Sequence, residues 1–335
     1  MKSPSAPNVI AHRGASGYRP EHSRSAYQLA IDLGADAVEP DIVSTRDDVL
    51  VIRHENEISG TTDIATHAEF FDRRTTKTID GDRLTGWFTE DFTWDELQTL
   101  RVRERLPKIR STVYDGTERM LRLRDLIDLL DARGDVGMVA EIKHPTYFAS
   151  IGIPLDELFA AEISAAGWAQ DPRLTVECFE TKVLGQVRSR GIDAKSVFLI
   201  ESSGAPADQV AEFGASAREF ADYLTDDGLG QLAASDAGNS IDGISVDKRL
   251  LLQLDSAQHA TGITDVVDRA HAAGLDVFCW TLRTENRFLA KNFRLPGGAA
   301  QYGDWMSEFQ LIMRSGVDAV FADQPDLAIE ARSVL

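Results

Sequence analysis

Two short stretches decide the fold: VIAHRG at residues 9–14 and AVEPDIV at residues 37–43. Each contains an apolar run, which predicts a short buried strand, next to charged residues. Residues i and i+2 of a strand face the same way, so we expect Glu39 and Asp41 to point to one side. Pro40 cannot donate a hydrogen bond to a sheet ladder, so the second strand is expected to loosen there.

Predicted strands and helices alternate along most of the chain. The strands fall at residues 9–11, 37–43, 137–142, 174–178, 196–200, 241–246, 276–280 and 318–322, and the helices at residues 24–33, 123–131, 155–166, 182–190, 207–232, 264–273 and 305–314. This order is typical of parallel strands joined by right-handed crossovers. Eight such strands predict an α/β fold of the closed (β/α)₈ TIM-barrel type, with an open doubly wound sheet as the alternative.

One segment interrupts this alternation. Residues 56–118 are rich in Thr, Asp and Arg, with one short helix predicted over residues 94–100. A stretch of this length without strand–helix alternation is usually a functional loop or a small subdomain. We expect a small insertion subdomain after strand 2, inside a single domain spanning residues 1–335. Three of its aromatic residues should form either a core of the insertion or a wall of a cleft: Trp87, Phe88 and Phe92.

A predicted hairpin brings a histidine back to the second strand. The turn at residues 46–48 is short and is followed by the apolar run at residues 49–52. Two apolar runs separated by so short a turn predict an antiparallel hairpin. We therefore expect His54 to lie near Glu39 and Asp41.

Composition narrows the class of protein. The chain has 43% hydrophobic and 27% charged residues, and no apolar run approaches the roughly 18 residues of a membrane span. Its formal charge of −19 disfavours nucleic acid and anionic membranes, so an anionic ligand would need a local positive site. The residues before Val9 are too few and too polar for a signal peptide, which predicts a cytoplasmic protein, or a periplasmic or secreted one if a leader was removed. Cys178 and Cys279 lie in apolar runs and should be buried thiols.

The polar candidates share one position in the predicted barrel, the carboxyl ends of its strands, where such barrels carry their active sites. They are His12, Glu39, Asp41, Glu141, Lys143, Phe179 and Trp280. Three carboxylates from neighbouring strands offer an all-oxygen ligand set, because no thiolate or histidine trio accompanies them. Such a set predicts one divalent cation, Ca²⁺ or Mg²⁺.

The stretch HRGASGYRPEHS at residues 12–23 resembles the opening signature of the glycerophosphodiester phosphodiesterases. Further strings follow in the order and rough spacing of that family, from about residue 9 to about residue 328: Glu39-x-Asp41, Arg53-His54-Glu55, Glu141-Ile142-Lys143 and Trp280-Thr281. Residues 56–118 resemble the insertion of its longer bacterial members. The resemblance implies a TIM barrel, a metal-dependent phosphodiesterase activity and glycerophosphodiester substrates, such as glycerophosphocholine or glycerophosphoethanolamine, cleaved to sn-glycerol 3-phosphate and an alcohol.

Hydrolysis of a phosphodiester requires charge neutralisation and two proton transfers. Arg13 and Lys143 are suited to bind the phosphate, and His12 and His54 to act as general acid and base in either order, because imidazole titrates near neutrality. The resemblance leaves open whether the substrate's 2-hydroxyl attacks, through a cyclic phosphate, or a metal-bound water does.

Four further residues have weaker assignments. Glu21 is expected to orient a catalytic side chain, His22 either does the same or only begins a helix, and Phe179 and Trp280 offer apolar walls to the substrate. The other histidines, His67, His144, His259 and His271, are expected to be non-catalytic.

Two alternatives to this function remain: a lysophospholipase D or sphingomyelinase D-like phosphodiesterase, and a barrel that binds glycerol or phosphate without catalysis. A lipid enzyme should carry an exposed apolar lip, of which the polar segment 56–118 shows little. Two departures from the family pattern bear on the alcohol pocket: Glu177-Cys178-Phe179 stands where Gln-Ser-Phe is common, and Arg283 stands where many members have Asn.

Overall fold

The computed structural model describes residues 6–234 and 241–335. Within these ranges parallel strands form a closed barrel, because the first strand pairs with both the second and the last. The barrel strands are Asn8–His12, Ala37–Glu39 continuing as Asp41–Ser44, Gly137–Ile142, Leu174–Cys178, Lys195–Ile200, Gly243–Asp247, Asp276–Leu282 and Ala319–Ala322. The predicted TIM barrel is confirmed, and the open sheet is excluded.

Side-chain alternation along the strands builds the barrel interior. A small apolar cluster, separate from the large core, contains Ile10, Val139, Phe278 and Phe321. Each of these residues lies two positions before a polar or aromatic candidate at a strand end, namely His12, Glu141, Trp280 and Asp323. Because residues i and i+2 share a face, this apolar layer lies directly beneath the candidate site and supports it.

Helices are found at all seven predicted places, and three further helices in the described residues were not predicted: Pro145–Ser150, Lys248–Leu251 and Pro325–Ser333. Outside the insertion the described helices are Arg24–Asp32, Leu123–Asp131, Pro145–Ser150, Leu155–Ala165, Thr181–Ser189, Ala207–Phe213, Phe220–Tyr223, Asp226–Ala233, Lys248–Leu251, Val266–Ala272, Trp305–Met313 and Pro325–Ser333. The single helical region predicted over residues 207–232 is three short helices, because Gly214, at a φ of 56°, ends the first and Thr225 caps the start of the third. No helix in the described ranges combines the length and apolarity that crossing a bilayer requires.

The second strand and its hairpin are as predicted. The strand is interrupted at Pro40 and resumes at Asp41–Ser44, which pairs antiparallel with Leu50–Ile52. The backbone N–H of Arg53 donates to the carbonyl oxygen of Asp41 at 2.9 Å. This hydrogen bond fixes the chain at the residue before His54.

The insertion packs onto the barrel instead of forming a core of its own. It contains 3₁₀ turns at Ile64–Thr66, Ala68–Arg73 and Thr89–Asp91, an antiparallel hairpin of Thr75–Ile79 with Asp82–Gly86, and the helix Trp94–Leu97. Trp87 and Phe92 join the main hydrophobic core and Phe88 is fully buried. None of these three rings is among the described residues that line the cleft; the hairpin tip does so instead. A second antiparallel ribbon pairs Leu252–Leu254 with Ala260–Ile263.

The two cysteines, Cys178 and Cys279, are buried and unbridged, as predicted.

Candidate active site

Strand register brings the polar candidates to one level of the barrel. His12 is the register partner of Glu39, Asp41 is the partner of Glu141, and Glu141 is the partner of Glu177. Register partners on neighbouring parallel strands point to the same face, so these side chains converge. The convergence occurs at the carboxyl ends of the strands, as expected for a barrel of this type.

A cleft of about 850 Å³ opens over these residues. Most of the predicted site residues line it: His12, Arg13, Glu39, His54, Glu141, Lys143, Phe179 and Trp280. Asp41 and Glu21 do not reach its surface but contact Arg13, which does. The tip of the insertion hairpin, residues 78–82 together with Leu84, forms another part of the wall.

The three predicted metal ligands form a compact acidic cluster. Glu39, Asp41 and Glu141 are buried, and each offers an oxygen atom within 4.8 Å of the others. Burial raises the pKa of Glu39 well above its ordinary value, and the charge of Asp41 raises it further. Burial also raises the pKa of Glu141, to about 8, against the opposing effect of Lys143. The buried Oδ1 atom of Asp41 accepts no hydrogen bond within the described residues. An all-oxygen cluster with an unsatisfied buried carboxylate atom fits a hard divalent cation.

Two basic side chains adjoin the acidic cluster. The backbone N–H of Arg13 donates to Oε2 of Glu39 at 2.6 Å, and its Nε atom lies 3.2 Å from Oδ2 of Asp41. Nζ of Lys143 donates to Oε1 of Glu141 at 2.6 Å and lies 3.8 Å from Asp41. The positively charged side chains of Arg13 and Lys143 also line the cleft, so they are placed to contact an incoming anion.

The turn that carries Arg13 has an unusual backbone. Arg13 has a φ of 60° and Gly14 a φ of 80°, so two successive residues lie in the left-handed region. A Cβ atom at Gly14 would lie 2.7 Å from the carbonyl carbon of Ala26, which only glycine avoids. The hydrogen bond from Arg13 to Glu39 holds this turn, so the acidic cluster and the arginine are positioned together.

His12 is oriented by a carboxylate that the sequence analysis did not assign to the site. Its Nδ1 atom lies 2.6 Å from Oδ1 of Asp323, whose Oδ2 atom accepts from Arg110 at 2.6 Å and from Arg283 at 2.7 Å. Burial raises the pKa of Asp323, but the two arginines outweigh it and hold that pKa well below its usual range. An ionised Asp323 can only accept, so Nδ1 of His12 carries the proton and Nε2 is left free for chemistry.

His54 lies on the same cleft with a carboxylate of its own. Its Nδ1 atom lies 3.0 Å from Oε1 of Glu55, although the alignment falls short of a hydrogen bond. Burial lowers the pKa of His54 to about 3, with further lowering by Arg13 and Lys143. Burial and Arg13 likewise lower the pKa of His12, to about 4. Both imidazoles are therefore neutral near pH 7 before a phosphate anion arrives.

Glu21 and His22 lie behind Arg13 and Asp41. Glu21 accepts from Nη1 of Arg13 at 3.1 Å and makes two bonds to Arg105. Nε2 of His22 lies 2.8 Å from Oδ2 of Asp41, and its Nδ1 atom lies 2.7 Å from the hydroxyl of Tyr27. His22 is fully buried and contacts a member of the acidic cluster, which agrees with the first of its two predicted roles.

The aromatic pair forms one wall of the cleft. The rings of Phe179 and Trp280 meet edge to face with their centres 5.9 Å apart. Phe220 packs against Phe179 at 6.2 Å, and Nζ of Lys143 lies 5.3 Å from the centre of the Phe179 ring. This aromatic wall therefore lies beside the positive charge of Lys143 on the same cleft.

Of the four histidines predicted to be non-catalytic, His144 lies on the cleft. Nδ1 of His144 lies 2.5 Å from Oδ2 of Asp80 at the tip of the insertion hairpin, and both residues line the cleft. The remaining three contact carboxylates and do not line the cleft within the described ranges: His67, His259 and His271.

Sequence reasoning missed three charged residues near the site, Asp323, Arg105 and Arg110, and connected Glu177 only with the alcohol pocket. Asp323 directly follows the last barrel strand, the position that identified the other candidates, so this signal was available. Glu177 is buried and its Oε2 atom has no hydrogen-bond partner in the described part of the chain. Burial and the charge of Glu141 raise its pKa well above the ordinary value. Arg105 and Arg110 lie in a part of the insertion without helix or strand, so no sequence periodicity indicates where their side chains point.

Comparison with known proteins identifies the family. The sequence profile of the glycerophosphoryl diester phosphodiesterase family matches residues 12–327, nearly the whole chain. The chain belongs to this family. A glycerophosphodiester phosphodiesterase of Arabidopsis thaliana is 30% identical over 334 residues, covering 95% of this chain and 84% of the relative. The one from Treponema pallidum is 24% identical over 347 residues, covering 96% and 90%. As a glycerophosphodiester phosphodiesterase, the chain is a phosphoric diester hydrolase.

Solved structures agree with this fold. A crystal structure from Silicibacter pomeroyi superposes with a TM-score of 0.66 at 20% identity, covering 99% of this chain and 95% of the other. An Oleispira antarctica phosphodiesterase, solved with the product sn-glycerol 3-phosphate, superposes with a TM-score of 0.59 at 20% identity, covering 97% and 96%. The barrel fold of this chain is thus shared, over nearly its whole length, with solved structures of low sequence identity.

Proposed function

We propose that this chain hydrolyses glycerophosphodiesters such as glycerophosphocholine or glycerophosphoethanolamine to sn-glycerol 3-phosphate and a free alcohol. The reaction depends on one divalent cation, Ca²⁺ or Mg²⁺, held by Glu39, Asp41 and Glu141. The observation that carries the proposal is the buried carboxylate trio at the base of a cleft that also holds two histidines. The product found in the Oleispira antarctica relative supports the same substrate class. The chain acts as a single domain, with residues 56–118 contributing part of the cleft.

Substrate binding relies on charge and on the aromatic wall. Arg13 and Lys143 bind the phosphate oxygens, since both line the cleft and carry the positive charge that a phosphate anion requires. Phe179 and Trp280 contact the organic groups. A cation on the trio would add positive charge that stabilises the negative charge developing on the phosphate oxygens.

The two histidines carry the proton transfers. One imidazole takes the proton of the attacking hydroxyl, which is either the substrate's 2-hydroxyl or water, as the new P–O bond forms. The other gives a proton to the departing alkoxide as the P–O bond to the alcohol breaks. A nearby phosphate anion raises the pKa of an imidazole, so substrate binding supplies the acid form that the free enzyme lacks. Asp323 keeps the Nε2 atom of His12 available in either role.

One observation favours a second candidate, a lysophospholipase D or sphingomyelinase D-like activity. Val210 and Phe213, on the helix Ala207–Phe213, are about half exposed, and Val210 lines the cleft. This gives the rim a small apolar patch, which a lipid substrate could contact. The polar hairpin residues Asp80 and Asp82 on the same cleft favour a water-soluble substrate instead.

A direct assay separates these candidates and the non-catalytic alternative. The purified chain is incubated with glycerophosphocholine, lysophosphatidylcholine or sphingomyelin, with Ca²⁺ or Mg²⁺, and again with a chelator. We expect sn-glycerol 3-phosphate and choline from the first substrate only, and loss of activity on chelation. Faster release of choline from either lipid would support the second candidate, and no turnover of any substrate would contradict both.

A further inference from the structure

We infer that two arginines of the insertion, Arg105 and Arg110, position the two active-site histidines, each through a carboxylate. The inference rests on the proposed roles of His12 and His54, and it assigns to the insertion a part in catalysis beyond forming a wall of the cleft. The two residues are positioning residues, since within the described ranges they donate to carboxylates and a carbonyl oxygen and not to a histidine.

Arg110 acts on His12. Its Nη2 atom donates to Oδ2 of Asp323 at 2.6 Å and its Nε atom to Oε1 of Glu285 at 2.7 Å, while Oδ1 of Asp323 lies 2.6 Å from Nδ1 of His12. Its Nη1 atom donates to the carbonyl oxygen of Ser16 at 3.2 Å, on the turn that follows His12. The guanidinium is buried and thus holds the carboxylate and the turn in one arrangement.

Arg105 acts on His54. It donates two hydrogen bonds of 2.6 Å to Glu55, from Nη1 to Oε1 and from Nη2 to Oε2. Oε1 of Glu55 lies 3.0 Å from Nδ1 of His54. The same guanidinium donates to both oxygens of Glu21, at 2.6 and 2.7 Å, and Glu21 in turn accepts from Arg13. Arg105 therefore joins the histidine and the phosphate-binding arginine through two carboxylates.

The contacts of Arg105 and Arg110 are more specific than those needed only to attach the insertion to the barrel. Two arginines five positions apart reach opposite sides of the site, one to the end of the last strand and one to the hairpin after the second. Each ends on a carboxylate next to the Nδ1 atom of one histidine: Asp323 lies at hydrogen-bond distance from His12, and Glu55 lies 3.0 Å from His54 without hydrogen-bond alignment. A carboxylate beside Nδ1 favours the proton on that atom, which leaves Nε2 free. Arg103 and Lys108, in the same segment, are exposed and are not part of this arrangement. The two histidines thus have separate supports, and their contributions can be separated experimentally.

Substrates with different leaving groups can separate the effects of Arg105 and Arg110, because only some leaving groups need a general acid. Choline leaves as an alkoxide that requires the general acid, whereas p-nitrophenolate leaves without protonation, so only the base is needed for it. Arg105→Gln and Arg110→Gln are compared with wild type on glycerophosphocholine and on glycerophospho-p-nitrophenol, with Arg103→Gln and Lys108→Gln as matched controls. Thermal unfolding of each variant measures any general loss of structure.

On glycerophosphocholine we expect kcat to fall about 10- to 100-fold in both test variants, as for a displaced catalytic group. The KM of Arg110→Gln should stay within about threefold, while that of Arg105→Gln should rise, because Arg13 loses its support through Glu21. On the p-nitrophenyl ester one variant should regain most of its rate and the other should not. Wild-type rates in both variants, or equal losses on both substrates, would overturn the inference.

A second measurement does not depend on turnover. Long-range ¹H–¹⁵N spectra report the tautomer of each imidazole: Arg110→Gln should alter the ring signals of His12 and leave those of His54, and Arg105→Gln should do the reverse. If wild type fails to hydrolyse any glycerophosphodiester, the proposed function fails while these spectra still test the positioning. If both variants leave both sets of signals unchanged, the positioning fails while the proposed function stands.

Discussion

The Nδ1 atom of His12 lies 2.6 Å from Oδ1 of Asp323, although 311 positions separate the two residues in the chain. The first and last barrel strands pair side by side; the first ends at His12, and Asp323 directly follows the last. The pairing of these two strands, which closes the barrel, therefore brings Asp323 to the His12 imidazole. A change at either end of the chain that loosens this pairing should affect the active site.

Replacing Asp323 by Asn should reduce activity much more than stability. The amide has nearly the same shape but no charge, and it can present a donor to Nδ1, which would favour the wrong tautomer of His12. We expect kcat on glycerophosphocholine to fall by about 10²-fold or more. Asp326→Asn is the control, because Asp326 binds the Tyr18 hydroxyl at the same end of the barrel. A loss of less than threefold would contradict a role for Asp323 in orienting His12.

The protein should lose stability as the pH falls from about 7.5 to about 5. Burial lowers the folded-state pKa of His12 to about 4, below its ordinary 6.5, so the unfolded chain takes up this proton first. The contribution of neutral His12 to the free energy of unfolding is fully present above pH 6.5 and is lost as the pH falls toward 4. At pH 5 this loss amounts to about 2 kcal/mol. Urea unfolding at both pH values should show a smaller loss for His12→Asn than for wild type. Equal losses would show that His12 titrates normally in the folded state.

Binding of Ca²⁺ or Mg²⁺ should release protons and tighten with rising pH. The pKa values of Glu39 and Glu141 are raised, by burial and by neighbouring carboxylates, so below about pH 8 the trio holds protons that a cation must displace. Calorimetric titration in two buffers of different ionisation enthalpy should reveal proton release at about pH 7. Glu141→Gln should bind far more weakly, whereas Glu330→Gln, at an exposed carboxylate, should match wild type. Binding without any pH dependence would place the cation elsewhere.

Replacing His54 should lower kcat about as much as replacing His12. His54→Ala and His12→Ala each delete one of the two proton-transfer groups, so each should lower kcat by at least two orders of magnitude. His67→Ala is the matched control, because His67 contacts carboxylates of the insertion and does not line the cleft within the described ranges. A loss of only a few-fold in either test variant would remove that histidine as acid or base.

Local patterns were sufficient to predict the acidic cluster. Glu39 and Asp41 are two positions apart in one strand, and Glu141 ends the neighbouring strand, so side-chain alternation and strand order place them together. The short turn after the second strand was equally informative for His54. In each of these cases, the geometry depends on a few consecutive residues.

Contacts that depend on irregular segments could not be predicted. Arg105 and Arg110 lie in a part of the insertion without helix or strand, so nothing in the sequence fixes where their side chains point. The helical region at residues 207–232 was placed correctly but divides into three, because Gly214 adopts a conformation that its neighbours would not. Asp323 followed the pattern of the other strand ends, but its partner His12 becomes evident only when the barrel closes.

A crystal structure with Ca²⁺ and sn-glycerol 3-phosphate bound tests the central claim most directly. We predict one cation with oxygen ligands from Glu39, Asp41 and Glu141, at distances of about 2.3–2.6 Å. The phosphate should contact Arg13 and Lys143 and lie within hydrogen-bond reach of both His12 and His54. A cation bound away from the trio, or either imidazole turned away from the phosphate, would contradict the account.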